Sequence, residues 1–187
     1  MEREQAISVI VQQELGEMSK DERESELWNL WRMDEEDPEW VRLTDVLKDE
    51  LLHNEEPVAD VMSSRYDPLL KIVLAKGYVG VKNEYLSERV TRILGEEVVV
   101  EGRADPLFAC PCCMYRSLTE RGQYEICPVC FWEDDGSNDP TQYSGPNHMT
   151  LAEGRDNFAK YGAVTPSALQ WVQPDAKKRY DFGGGDA

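Results

Sequence analysis

The sequence predicts an α+β fold, a bundle of helices followed by a small zinc-ribbon-like β domain with a flanking helix, and three observations carry that prediction. Amphipathic stretches with cap signals fill the first 95 residues, strand and turn residues take over after position 98, and all five cysteines of the 187-residue chain fall between Cys110 and Cys130. The expected division is an acidic helical domain at 1–105, a cysteine-built domain at 106–164, and a C-terminal helix with a mobile tail at 165–187.

Helical spacing opens the chain: Ala6, Ile7, Ile10, Val11 and Leu15 share one face, and Gly16 reads as the C-cap. Ser19 and Glu22 then form a capping box ahead of a second helix that carries Leu27, Leu30 and Trp31. Asp37 and Pro38 start a third, directing Trp40, Val41, Leu43, Val46, Leu47 and Leu51 inward. Asp67 and Pro68 repeat that signal for a helix through Leu69, Leu70, Ile72, Val73 and Leu74 that ends near Gly77. Asn83 caps a fifth, with Tyr85, Leu86, Val90, Ile93 and Leu94 apolar and Gly95 closing it. The last two have the length of a helix-turn-helix around Lys76–Gly80, but Glu84 and Glu88 beside Arg89 and Arg92 make a poor phosphate surface, so the pair reads as ordinary helix packing. Val98 to Val100 is a short strand signal leading into the cysteine region.

Four of the thiols read as C-x2-C-x13-C-x2-C: Cys110, Cys113, Cys127 and Cys130. Two short knuckles that each present two sulfurs are the layout of a tetrahedral tetrathiolate site, and zinc is the expected ion. Pro111 and Pro128 each follow the first cysteine of a pair, where a fixed φ suits the tight turn a knuckle needs. Met114 to Glu125, with Gly122, has the length of a short hairpin that brings the knuckles together. Iron suits the same spacing, and ligand softness does not separate the two metals. Cys112 is a spare thiol; a Cys110/Cys112 pair is the alternative ligation, with a poorer bite. Four sulfurs close the coordination shell, so such an ion supports a fold and does no Lewis-acid chemistry.

The stretches F-A-C-P-C-C-M-Y from Phe108, Y-E-I-C-P-V-C-F-W-E-D-D-G from Tyr124, and Y-S-G-P-N-H-M-T-L-A-E-G-R-D-N-F-A-K-Y-G-A from Tyr143 resemble the cysteine-rich CPCC family of small bacterial proteins, over about residues 106 to 164. The resemblance implies a zinc-ribbon-like domain and no established enzymatic activity. It also implies similarity to modules found near bacterial toxin and immunity genes. Met114 stands where many zinc knuckles have glycine.

Other chemistry-bearing residues are few. His53 falls at a helix end, where it meets the dipole favourably. His148 precedes Thr150, the N-cap of a helix with Leu151, Phe158 and Tyr161, and reads as a hydrogen-bonded structural residue. Glu133, Asp134, Asp135 and Asp139 lack the calcium-loop pattern and read as turn residues with Gly136 and Asn138. Catalytic residues: none are expected. Thr165, Pro166 and Ser167 start a short helix whose Trp171 is expected to pack back on the body, and Asp181 to Ala187 is expected to be mobile.

The net charge is −17, and residues 1–60 alone hold 19 acidic against 6 basic side chains, net −13. That field disfavours nucleic acid and anionic membrane, with Lys177, Lys178 and Arg179 the remaining basic strip. The absence of a long apolar run or a leader, together with the clustered thiols, leads us to expect a cytoplasmic protein. Trp31, Asp34, Glu35, Glu36, Asp37, Glu39 and Trp40 combine aromatic rings with carboxylates and are the expected partner-facing edge. The expected function is therefore non-enzymatic: an immunity or antitoxin-like protein neutralising a basic toxin, such as a nuclease, through its acidic helical surface. The alternative is a zinc-ribbon adaptor or regulator of a nucleic-acid-processing complex.

Overall fold

The computed structural model describes residues 1–184, and the chain divides into two compact units. Met1–Val79 with Leu86–Gly102 form the first; Gly80–Tyr85 with the chain from Arg103 onward form the second. The first unit holds α1 (Arg3–Glu17), α2 (Lys20–Leu30), α3 (Asp45–His53), α4 (Asp67–Lys76) and most of α5 (Asn83–Leu94). The second holds β1 (Phe108–Ala109), β2 (Arg116–Leu118), β3 (Tyr143–Ser144), β4 (Met149–Thr150), α6 (Leu151–Tyr161) and α7 (Ala176–Arg179). Its strands pair antiparallel, β1 with β2 and β3 with β4. The architecture is α+β, helices first and small sheets second.

Cap chemistry starts α2 where the sequence predicts. Ser19 accepts from the Glu22 amide at 3.3 Å, while the Ser19 amide donates to the Glu22 carboxylate at 2.8 Å, closing the capping box of α2. The Ser19 hydroxyl and amide hold the Glu22 carboxyl below its ordinary pKa. At α1 the helix runs through Gly16 to Glu17, so this glycine lies in the last turn and not at the cap.

The predicted third helix is two pieces. Pro38–Arg42 forms a 3-10 turn, Leu43 is extended, and Thr44 then caps α3 by accepting from the Leu47 amide. The break resets the helical phase. Trp40, Leu43, Leu47 and Leu51 are buried, but Val41 and Val46, expected inward, are 78% and 64% exposed. Val98 to Val100 forms no strand, because the Val98 and Val100 amides donate to Thr91 Oγ1 and Ser87 Oγ of α5. A parallel bridge, Glu2 to Glu101, forms beside it instead.

The core of this unit gathers Leu15, Leu27, Trp31, Trp40, Leu47, Tyr66 and Leu70 among others. Trp31 meets Tyr66 edge-on, with centroids 5.8 Å apart, and its indole N–H donates to the Asn54 carbonyl at 2.9 Å. The Tyr66 hydroxyl donates to Glu50 Oε1 at 2.5 Å and accepts from the Ala59 amide; burial, and then this carboxylate, push its pKa up, so it stays a donor. The other Glu50 oxygen lies 3.1 Å from Arg65.

Trp31 and Trp40 are thus core residues and not a partner-facing edge. The carboxylates between them belong to a surface turn, while the two rings face inward. Asp37 accepts from the Asp34 amide, Asp34 from the Glu36 amide, and Glu39 pairs with Lys76 at 3.3 Å, while Glu35 is exposed.

Arg23 of α2 is buried and ties down the approach to α4. It donates to the Val61 and Ser63 carbonyls at 3.0 and 3.4 Å and to Asp67 at 2.7 Å. Replacing it by methionine keeps the apolar stem but leaves two carbonyls and a carboxylate unmet. Arg23→Met is expected to cost about 2–3 kcal/mol, read as a lower urea midpoint at unchanged slope.

Candidate metal centre

The two knuckles share one local design. In each, the amide four residues after the first cysteine turns back to its carbonyl: Met114 to Cys110 at 2.9 Å and Phe131 to Cys127 at 2.8 Å. The first cysteine's own amide donates forward, to the Tyr115 and Trp132 carbonyls, at 2.8 Å in both cases. Each turn closes on a left-handed residue after the second cysteine, and Met114 (φ 66°) and Phe131 (φ 68°) adopt that conformation without glycine. The methionine in the first turn is therefore matched by a second bulky residue in the same conformation.

Cys110, Cys113, Cys127 and Cys130 converge across the knuckles, all four sulfurs within 4.8 Å of one another and all buried. Cys110 Sγ lies 3.7 Å from Cys130 Sγ, and Cys113 Sγ lies 3.6 Å from Cys127 Sγ. A tetrahedron with metal–sulfur arms of about 2.3 Å has edges of about 3.8 Å, so the cage already has the dimensions of an S4 metal site. Cys112 is buried outside it. The site can hold a metal ion through four thiolates.

The four thiols differ electrostatically. The adjacent Cys113 and Cys127 thiols push Cys110 up, and burial followed by its cysteine neighbours pushes Cys130 up. Burial resists ionisation of Cys127 too, but donation from Cys110, Cys113, Cys130 and the Ser117 hydroxyl outweighs it and holds this thiol well below its ordinary value. Ser117 Oγ lies 3.1 Å from Cys127 Sγ, and the Val129 amide points at the same sulfur at 3.4 Å.

Buried residues around the cage fix the knuckles. Asp134, fully buried, accepts from Arg121 Nε at 2.8 Å and from the Gly122 amide at 2.7 Å, and Arg121 continues to Asn138 at 2.9 Å. The acidic run after Cys130 therefore does more than form a turn. Between the knuckles lie strand β2 and this clamped loop, in place of the expected hairpin; β2 pairs with β1 ahead of the first knuckle. From α6, Arg155 donates to the Pro111 carbonyl at 3.0 Å. Gly154 faces the buried Trp132 ring so closely that a Cβ there would lie 2.7 Å from the ring and 3.5 Å from Cys112 Sγ. Cys112 thus packs between the first knuckle and α6.

This cage and its knuckles lie inside a segment that resembles a known family. Residues 108–179 match the cysteine-rich CPCC family. No curated protein and no solved structure matches the chain.

The CPCC segment runs past residue 164, and the structure gives the reason. The Val164 amide donates to the Cys130 carbonyl at 2.8 Å and the Gln173 amide to the Pro128 carbonyl at 3.3 Å, so the chain after α6 holds the second knuckle. Three expectations about this arm change. Trp171 sits in a 3-10 turn, Ser167–Trp171, and is 65% exposed, lining an open hollow of about 360 Å³ with Ile126, Phe131, Val164 and Ala168 instead of packing back on the body. Arg179 is buried, donating to Gln173 and stacked over Tyr85, so it does not join Lys177 and Lys178 in a basic strip. Asp181 to Gly183 line the first knuckle: the Arg116 amide donates to the Asp181 carbonyl, Phe182 bridges Tyr115, and the Gly183 amide donates to the Met114 carbonyl. Residues 185–187 of the expected mobile tail lie outside the described residues.

Thr150 caps α6 as predicted, in a full capping box with Glu153, and Gly162 closes the helix in the left-handed conformation. His148 is exposed at the β3–β4 turn with φ 55°, a turn residue in place of the expected hydrogen-bonded structural one. His53 ends α3 with Nδ1 2.9 Å from the Asp49 carbonyl. Sequence reasoning misses Ser117, Arg121, Asp134 and Gly154 as supporting residues, because their roles come from contacts across the knuckles. Two signals hint at them: a small polar residue beside an apolar one, at Ser117 and Leu118, and a glycine inside a helix, at Gly154.

Two outcomes test this geometry. Alanine is the better helix former by about 1 kcal/mol, yet Gly154→Ala is expected to destabilise the CPCC segment by about 1–3 kcal/mol, read in thermal unfolding, because the ring it meets is fully buried. Metal affinity is expected to fall as pH is lowered: the raised Cys110 and Cys130 thiols keep their protons at neutral pH, and binding must expel them. Chelator competition at about pH 6 and about pH 8 checks the sign, with tighter binding at the higher pH.

Proposed function

We propose that the protein holds a structural zinc ion at Cys110, Cys113, Cys127 and Cys130 and acts by binding, without catalysis, in the cytoplasm. Its acidic helical unit covers a basic protein partner in the manner of an immunity or antitoxin protein, with a nuclease toxin as the partner class. The observation that carries the reading is the charge asymmetry: 19 acidic against 6 basic residues in positions 1–60, in a chain whose S4 cage leaves a bound ion no open position. Such a field speeds encounter with a cationic surface and repels nucleic acid from it. Among the described residues no helix is long and apolar enough to cross a membrane, and the five cysteines are free thiols.

The test is co-purification from native cells followed by co-expression. A basic protein is expected to co-purify at low ionic strength and to be released as salt rises, and the chain is expected to relieve that protein's toxicity. Retention of nucleic acid at moderate salt, without protection, would instead fit a nucleic-acid adaptor and overturn the reading.

A further inference from the structure

Trp28 is the large aromatic that the helical unit leaves outside. On α2 the inward positions are Arg23 and Leu27, and Trp31 follows one turn on at the C-cap, so Trp28 is rotated by about 100° from that face and is 48% exposed. It stands between two open hollows. One is lined by Trp28, Asn29, Trp31, Arg32 and Glu55; the other, about 600 Å³, by Trp28, Asn54, Glu55, Glu56, Pro57 and Val58. Their chemistry differs: Arg32 lines the first, whereas the second has two carboxylates and no basic residue in its lining.

We propose that the second hollow seats an arginine side chain of a basic protein partner. The inference rests on the acidic-surface reading and names the place where that surface grips. Three features of the hollow match the three parts of arginine. An indole is the strongest aromatic platform for a planar guanidinium, Glu55 and Glu56 supply the opposite charge, and Pro57 with the 59% exposed Val58 offers apolar surface to the methylene stem. Arginine fits better than lysine because its flat, weakly hydrated head stacks on a ring. Arg32 repels a second cation from the adjoining hollow, which leaves one seat. The tryptophan anchor is therefore Trp28, in place of the buried Trp31 and Trp40.

The experiment uses the full metal-loaded chain and a short arginine-rich peptide, followed through the five indole N–H signals in NMR at low salt. The signal missing from Trp28→Leu identifies Trp28. It is expected to move on titration while those of the buried Trp40 and Trp132 stay, and a lysine-rich peptide of equal charge is expected to bind more weakly. Trp28→Leu and the exposed pair Glu55→Gln with Glu56→Gln are each expected to raise the dissociation constant about tenfold. Equal affinity for the wild type and Trp28→Leu overturns the seat and leaves the acidic-surface reading standing. Failure of the peptide to bind either form at low salt overturns that reading, and the seat with it.

Discussion

Four sulfurs brought within 4.8 Å of one another in a buried site are the constraint on which the C-terminal unit is built. Thiolates packed so closely repel, and thiols packed so closely make only weak hydrogen bonds; a divalent cation turns both costs into attraction. The surrounding structure serves that convergence. The two left-handed turns aim the sulfurs, Ser117 and the Val129 amide stabilise one of them as thiolate, and the Asp134–Arg121 clamp sets the loop between the knuckles. With strands of two or three residues, the sheets alone offer little to hold such a unit together.

The helical unit is held by a different balance. Apolar side chains fill its core, and a few buried polar groups, Arg23 and Glu50 above all, direct the long connection between α3 and α4 across it. Its surface charge is a separate property. Carboxylates at Asp34 and Asp37 fold their own turn, and Glu39 is paired with Lys76, so a count of acidic residues overstates what is available to a partner.

Much of this is legible in the sequence wherever the signal is local. The capping box at Ser19 and the cap at Thr150 depend on residues three apart, and the metal ligands depend on a spacing that few other structures need. What escapes a sequence reading depends on distant contacts. Val41 and Val46 fit a continuous helical face, but a 3-10 turn breaks its phase. Val98 to Val100 has the composition of a strand, but side chains of α5 take two of its amides. The rings of Trp31 and Trp40 stand among carboxylates in sequence yet turn inward, because neighbours along a chain can face opposite sides of a turn. The tail from Asp181 to Gly183 carries no strand signal and is ordered by the edge of the first knuckle.

The cysteine cage is expected to need a bound ion to keep its fold, which native mass spectrometry of the purified protein followed by chelation under NMR measures. One ion per chain is predicted, with loss of the ordered signals of Trp132 and the β1–β2 pair once the ion is removed. A chain that purifies without metal and keeps those signals would mean that packing alone holds the cage.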